Sequence, residues 1–220
     1  MRLLIATQNQ NKVREIREIF AELEGEAGTH RAKISLVGLQ EIAKALGREI
    51  EEPVEDGLSF EENARLKARY YAAAAGMIAI AEDSGLEVDA LGGAPGIHSA
   101  RYAGASGDRE ARDRANNLKL LQELEGVPEP ERGARFVCAL SMVAADGAVL
   151  FETRGAFEGR IVTEPRGENG FGYDPLLEVA ELDRTSAELT SEEKHARSHR
   201  GAAFRALARA LPSLKLPEPS

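Results

Sequence analysis

The chain has 220 residues, 43% hydrophobic and 30% charged, with a formal net charge of -9 and a pI of about 5.1. That mixture can build the core of one large domain or two small lobes. The acidic balance argues against sequence-independent binding to a nucleic-acid backbone, which needs a basic surface, although a small anionic substrate is open to it wherever a few basic residues converge.

Leu3 to Ala6 reads as a short buried strand, Thr7 to Asn11 as a polar turn, and Lys12 to about Leu23 as an amphipathic helix, since Val13, Ile16, Ile19, Phe20 and Leu23 recur at helical spacing. Strand, polar loop and helix form an α/β opening that points a helix N-terminus past the strand's end. Gly25 to His30 reads as a loop, Lys33 to Leu39 as a second strand, and Glu49 to Gly57 as acidic and irregular. Ser59-Phe60-Glu61-Glu62 has the spacing of a capping box, opening a helix that runs to about Ala75 and stops at Gly76. Asn63 and Lys67 lie one turn apart on it.

Met77 to Ala81 reads as a strand ending abruptly in Glu82-Asp83-Ser84-Gly85, with Leu86 to Leu91 as a returning strand and Gly92 to Gly107 as a loop. Arg109 to Leu124 is helical, and Gly126 to Gly133 is a connector. Ala134 to Ala144 and Ala148 to Thr153 flank Asp146-Gly147, a hairpin signal. Glu158 to Val162 is a further strand, Glu164 to Asp174 a glycine-rich loop, and Leu176 to Val179 a short strand. Glu188 to Arg200 is polar and partly helical, Ala202 to Leu211 a closing helix, and Pro212 to Ser220 a loose tail.

One cysteine, Cys138, cannot form an internal disulfide, and its place in an apolar run suits a buried strand residue. No apolar stretch approaches the ~18 residues of a membrane span. The start at Met1-Arg2 enters a strand too soon for a signal peptide, so the expectation is a cytoplasmic protein.

Five segments have residue types suited to nucleotide chemistry, and each alone also fits a bland role. Thr7-Gln8-Asn9-Gln10-Asn11-Lys12 combines helix N-terminal amides, a hydroxyl and a lysine, as a phosphate chain requires, yet reads equally as a polar turn and is not a Walker A loop. Glu82 and Asp83 offer hard oxygen ligands for Mg²⁺, or simply an acidic turn. Lys67 is a cation on the capped helix, or a surface lysine. Gly170-Phe171-Gly172-Tyr173-Asp174 lets a ring lie against a flat base, or packs on the core. Lys194 with Ser198-His199-Arg200 can read carbonyl oxygens on a base, or is a charged helix face. His30, His98 and His195 lack metal-ligand spacing, and Ser84 has no evident histidine base.

The order of these segments is more specific than any one of them. Thr-x-x-Asn-x-x-Lys, then Ser-Phe-Glu-Glu-Asn-Ala-Arg-Leu-Lys-Ala, then Ala-Glu-Asp-Ser-Gly-Leu resembles the inosine triphosphate pyrophosphatase family. Gly-Gly-Ala-Pro-Gly-Ile-His-Ser-Ala-Arg-Tyr, Gly-Phe-Gly-Tyr-Asp-Pro and the late Lys with Ser-His-Arg-Gly extend the resemblance from Thr7 to Gly201. It implies a mixed α/β fold of a twisted sheet with flanking helices, two lobes around a central substrate cleft within residues 1–211, and a homodimer. It implies hydrolysis of ITP, dITP and XTP to monophosphate and pyrophosphate with Mg²⁺, while the acidic balance and the lack of an apolar span set the expectation of no nucleic-acid or membrane partner. By position, Thr7, Gln8, Asn9, Gln10, Asn11 and Lys12 would hold the triphosphate, with Lys67 and Ser84 also touching substrate. Asp83 would be the catalytic carboxylate, and Asp83, Glu82 and Glu55 the metal ligands. Phe171, Gly172, Tyr173, Asp174, Lys194, His199 and Arg200 would form the base and sugar pocket.

Two departures stand out. Asn11 replaces a glycine common before the lysine, and is the best substitute if positive φ is needed there. Glu82 stands where many relatives have aspartate. The rivals are a related pyrophosphatase acting on modified pyrimidines or methylated nucleotides, and a nucleotide sensor without turnover.

Overall fold

The computed structural model describes residues 2–26 and 34–217. In chain order its elements are β1 (Arg2–Ile5), α1 (Gln10–Glu26), β2 (Ser35–Gly38), α2 (Leu39–Leu46), α3 (Phe60–Ala75), β3 (Ala79–Val88), α4 (Arg109–Glu123), β4 (Gly133–Val143), β5 (Val149–Ile161), β6 (Leu177–Val179), β7 (Arg184–Thr185), α5 (Ser191–Arg197) and α6 (His199–Ala210), with short 3₁₀ turns between some of them. The strands form one sheet in the order β2-β1-β3-β4-β5-β6-β7. Strand β1 runs parallel to both β2 and β3, whereas β6 is antiparallel to both β5 and β7. The sheet is therefore mixed, as the α/β expectation required.

The chain divides into two compact units: Met1–Asp83 with Cys138–Gly155 and Arg200–Ser220, and Ser84–Val137 with Ala156–His199. Strands β3, β4 and β5 each supply residues to both.

In the first unit the period-2 geometry of a strand sorts the core into two layers. Leu3 and Ile5 of β1, Ile80 of β3, and Cys138, Leu140 and Met142 of β4 pack with Val13, Ile16, Ile19 and Phe20 of α1 and Phe204 and Leu207 of α6. The alternate residues Leu4, Ala79, Ala81 and Val143 pack with Leu39 and Ile42 of α2 and Ala68, Tyr71 and Ala72 of α3. In the second unit Leu86 and Val88 of β3, Phe136 of β4 and Phe157 and Ile161 of β5 bury Leu120 of α4 and Leu124 at its C-cap together with Tyr173, Leu176 and Leu189.

Several boundaries differ from the sequence reading, each for a physical reason. The expected break at Glu82-Asp83-Ser84-Gly85 does not occur, because β3 runs unbroken from Ala79 to Val88. Charge signals a turn when it must be solvated, and here both carboxylates are buried against cations. The two strands expected at Ala148 to Thr153 and Glu158 to Val162 are one strand, β5, whose Gly155 and Phe157 point inward while Arg154, Ala156 and Glu158 are exposed. Helix α2 has a weak sequence signal because its eight residues bury only Leu39 and Ile42. The expected loop at Gly25 to His30 begins inside α1, and its residues 27–30 lie outside the described residues, as does Lys33 at the head of the expected second strand. The chain after Pro212 is not wholly loose, since Leu214 and Leu216 pack on the first unit's core; residues 218–220 lie outside the described residues.

Candidate active site

Consecutive residues of a strand project to opposite faces. Glu82 and Asp83 are consecutive in β3, so they serve different layers of the first unit.

Asp83 faces α3. Ser59 caps that helix by accepting from the Glu62 amide at 3.1 Å, while the Glu62 carboxylate accepts from the Leu58 amide at 2.7 Å. Positions one turn apart on α3 then converge on Asp83. Lys67 Nζ donates to its Oδ1 at 2.8 Å, and Asn63 Nδ2 donates to its Oδ2 at 3.3 Å. The Asn63 amide is oriented from its other end, where Oδ1 accepts from the Gly57 amide at 2.9 Å. Lys67 Nζ also lies 3.1 Å from Glu55 Oε1. Burial pulls the Lys67 ammonium toward neutrality, but Asp83 and Glu55 outweigh it and hold its pKa above the ordinary value. Two carboxylates thus meet around one fixed positive centre.

Glu82 faces the α1 and α6 layer and is 2% exposed. Its Oε1 lies 2.9 Å from Lys12 Nζ and accepts from Arg200 Nη2 at 3.2 Å, and its Oε2 accepts from the Cys138 thiol at 3.4 Å. Arg200 also donates to Glu15. Burial would raise the Glu82 pKa, but Arg200, Lys12 and Lys67 together hold it well below the ordinary carboxylate range. Burial and the neighbouring Glu82 charge push the Cys138 thiol well up, so it stays neutral in the strand interior.

This geometry bears on three of the sequence readings. Glu55 and Asp83 share the Lys67 ammonium, whereas the two Glu82 oxygens meet Lys12, Arg200 and Cys138 on the opposite face of the strand. The Arg200 guanidinium, 1% exposed, donates to Glu15 and Glu82 in the first unit. Asn11 has no positive φ; it lies inside α1, and among the described non-glycine residues only Asp183 has one.

The loop Thr7 to Lys12 caps itself. Asn9 Oδ1 accepts from the Asn11 and Lys12 amides at 3.1 and 3.4 Å, Thr7 Oγ1 accepts from the Asn9 amide at 3.2 Å, and Gln10 Nε2 donates to the Gln8 carbonyl at 3.3 Å. Gln8 Nε2 reaches the Ile50 carbonyl at 3.5 Å. The helix start is therefore pre-shaped by its own side chains, and Lys12 points to Glu82.

In the second unit the loop before β6 is built around Asp174, which is 3% exposed. Its Oδ2 accepts from the Phe171 amide and from Lys194 Nζ, each at 2.7 Å, and its Oδ1 accepts from Ser186 Oγ at 2.8 Å. Gly170, at φ 78°, could not be replaced, since a Cβ there would collide with the Asp174 carboxylate. The half-buried Phe171 ring has the Arg109 guanidinium 4.5 Å and Lys194 Nζ 5.2 Å from its centroid. Tyr173 turns inward, donating to the Ser99 carbonyl at 2.9 Å, so it serves the core. His199 stacks on Phe136 with centroids 5.2 Å apart. Ser84 opens this unit, half-buried in β3.

Sequence reasoning did not assign roles to Asn63, Glu15, Ser186 or Arg109. The one-turn spacing of Asn63 and Lys67 was the available signal for the first; the others needed tertiary proximity.

A family model described as the Ham1 family matches residues 3–210. A dITP/XTP pyrophosphatase of Thioalkalivibrio sulfidiphilus is 47% identical over 208 residues, covering 94% of this chain and 96% of that protein. One of Pseudomonas aeruginosa is 45% identical over 203 residues, with 92% of each chain covered. Among solved structures, a HAM1 protein from Coxiella burnetii matches with TM-score 0.81 and 35% identity over 97% of this chain and 99% of that one. The dITP/XTP pyrophosphatase of Mycobacterium abscessus matches with TM-score 0.70 and 42% identity over the same shares. With a family model matching nearly its whole length and relatives so similar across theirs, this chain belongs to the Ham1 family.

Proposed function

We propose that this protein hydrolyses non-canonical purine nucleoside triphosphates, ITP, dITP and XTP, to the monophosphate and pyrophosphate. The observation that carries the reading is the Asp83 carboxylate, held on both oxygens by α3 and sharing the Lys67 ammonium with Glu55. Relatives of 45–47% identity carrying the name dITP/XTP pyrophosphatase support the substrate class.

Water attacks the α-phosphorus; its oxygen forms the new bond, the bond to the bridging oxygen of pyrophosphate breaks, and the water proton passes to a base. Asp83 is the carboxylate fixed to accept that proton, because rotation would break both of its contacts to α3. Lys67 sets a permanent positive charge beside it against the polyanionic substrate. Residues Thr7 to Lys12 supply the pre-shaped helix start for the phosphate chain. Asp83 and Glu55 bring two hard oxygen donors together beside Lys67, a donor type that fits Mg²⁺, which takes one or two protein carboxylates and substrate phosphates. When bound there, the ion would neutralise charge on the phosphoryl oxygens. The second unit supplies base recognition through Phe171, Asp174, Lys194 and His199. Residence in the cytoplasm rests on the sequence reading and a homodimer on the resemblance, and sedimentation equilibrium tests the latter. No helix among the described residues is long and apolar enough to cross a membrane.

The test is turnover of ITP, XTP, dITP, ATP and GTP with magnesium in ¹⁸O-labelled water. Preference for the first three, with label in the monophosphate, is expected. Binding without turnover would make the protein a sensor, and label in pyrophosphate would place attack at the β-phosphorus.

A further inference from the structure

One stripe of α4 runs along the loop that carries Phe171. Arg109, Asp113 and Asn117 are spaced four residues apart and so lie on one helical face. Each contacts one of two adjacent loop residues, Phe171 or Gly172. Asp113 Oδ2 accepts from the Gly172 amide at 3.0 Å, and Asn117 Nδ2 donates to the Gly172 carbonyl at 3.0 Å. Arg109 lies over the Phe171 ring and, through Nε, 3.6 Å from Asp113 Oδ2. From within the loop, Asp174 holds the Phe171 amide. Phe171 is thus fixed on both sides, by Asp174 before it and by α4 after it. Gly172 sits at φ 64°, where glycine is free to move, so these contacts supply a constraint that its own backbone does not.

We infer that Asp113 and Asn117 are positioning residues for base recognition, gripping the Gly172 peptide so that the Phe171 ring, backed by Arg109, is set in place before the base arrives. Both belong to the second unit, whereas the groups assigned to the hydrolytic step belong to the first. The inference rests on the proposed base-recognition role of the second unit. Its chemistry is directional: the position facing the Gly172 amide must accept and the position facing its carbonyl must donate. Pre-organisation of this kind lowers the ordering cost of binding rather than the barrier to reaction.

The experiment compares Asp113→Ala, Asp113→Asn, Asn117→Ala and Asn117→Asp with wild type. It measures KM and kcat for ITP, competitive inhibition by pyrophosphate, and thermal melting. Arg114→Ala, on the exposed side of the same helix, is the control. Asp113→Ala and Asn117→Ala should raise KM about 3- to 10-fold, the loss that one hydrogen bond typically carries, with kcat and pyrophosphate inhibition little changed. Asp113→Asn keeps an acceptor and should recover most of that loss. Asn117→Asp sets a carboxylate against a carbonyl and should be at least as impaired as Asn117→Ala. KM values equal to wild type, a fall in kcat alone, or an Asp113→Asn variant as impaired as Asp113→Ala would overturn the inference. If melting drops below the assay temperature for the alanine variants, the Asn117→Asp and Asp113→Asn pair decides by the same criteria. Failure of wild type to turn over ITP would instead sink the proposed function and leave the loop geometry to be tested with the base-bearing ligand that does bind.

Discussion

Glu82 and Asp83 are neighbours in the chain and opposites in the molecule. Both are carboxylates, both are buried in β3, and both meet cations. Glu82 is enclosed by Lys12, Arg200 and Cys138, with both oxygens committed to the packing of α1, β4 and α6. Asp83 is held by an amide and an ammonium from a single helix, with Glu55 from an irregular segment sharing that ammonium. The first arrangement joins elements and is complete. The second fixes one carboxylate and gathers another donor beside it, as a reacting site needs. One residue of register separates a structural ion cluster from a candidate catalytic centre, because the strand period is two.

The comparison is broken first by stability. Removing one partner of a buried ion pair leaves uncompensated charge and typically costs about 3–5 kcal/mol. Glu82→Gln should therefore lower stability by roughly that amount in denaturant unfolding, and Arg200→Ala by a similar amount. The Glu82 pKa is depressed in the folded state, so its contribution is fully present above the ordinary carboxylate value of 4.5 and is lost as pH falls below it. The stability gap between wild type and Glu82→Gln should accordingly narrow under acid. A gap that stays constant to acid pH would show that Glu82 does not bind its cations as an ion.

A smaller effect concerns base choice. Inosine and xanthosine carry a carbonyl oxygen at purine position 6, where adenosine carries an amino donor. Lys194, held near the Phe171 ring by Asp174, offers a donor toward a keto group, and a mismatched buried donor costs about 1–3 kcal/mol. Lys194→Met should narrow the ITP-to-ATP ratio of kcat/KM about 5- to 150-fold, whereas Phe171→Ala should lower both values together. The reverse pattern would assign discrimination to stacking.

The smallest effect sharpens the Asp83 side. Ser59→Ala removes the α3 cap and should cost about 1 kcal/mol of stability by thermal melting, with little change in rate. A loss of rate as large as a catalytic substitution gives would mean that the start of α3 directly tunes Asp83.

What the sequence made legible follows from what is local. The α3 cap, its stop at Gly76, the Asp146-Gly147 turn and the helical stripe of α1 all depend on residues a few positions apart, and they stand where expected. The Lys67 and Asn63 spacing was visible for the same reason. The continuity of β3 was not, since adjacent acids read as a solvated turn until their cations, contributed by α1, α3 and α6, are in place. The ion pairs of Arg200 show the same limit, since Glu15 and Glu82 lie 185 and 118 residues away along the chain.

The most direct test is the single-turnover rate of ITP cleavage by Asp83→Asn and Glu82→Gln, side by side, at a temperature where melting shows both folded. Asp83→Asn should lose about 10²–10⁴ in rate with its stability largely kept, as expected when general-base work is removed. Glu82→Gln should stay within about tenfold of wild type, its loss falling on stability instead. Equal rate losses in both variants, or a larger loss in Glu82→Gln, would contradict the division of labour between the two faces of β3.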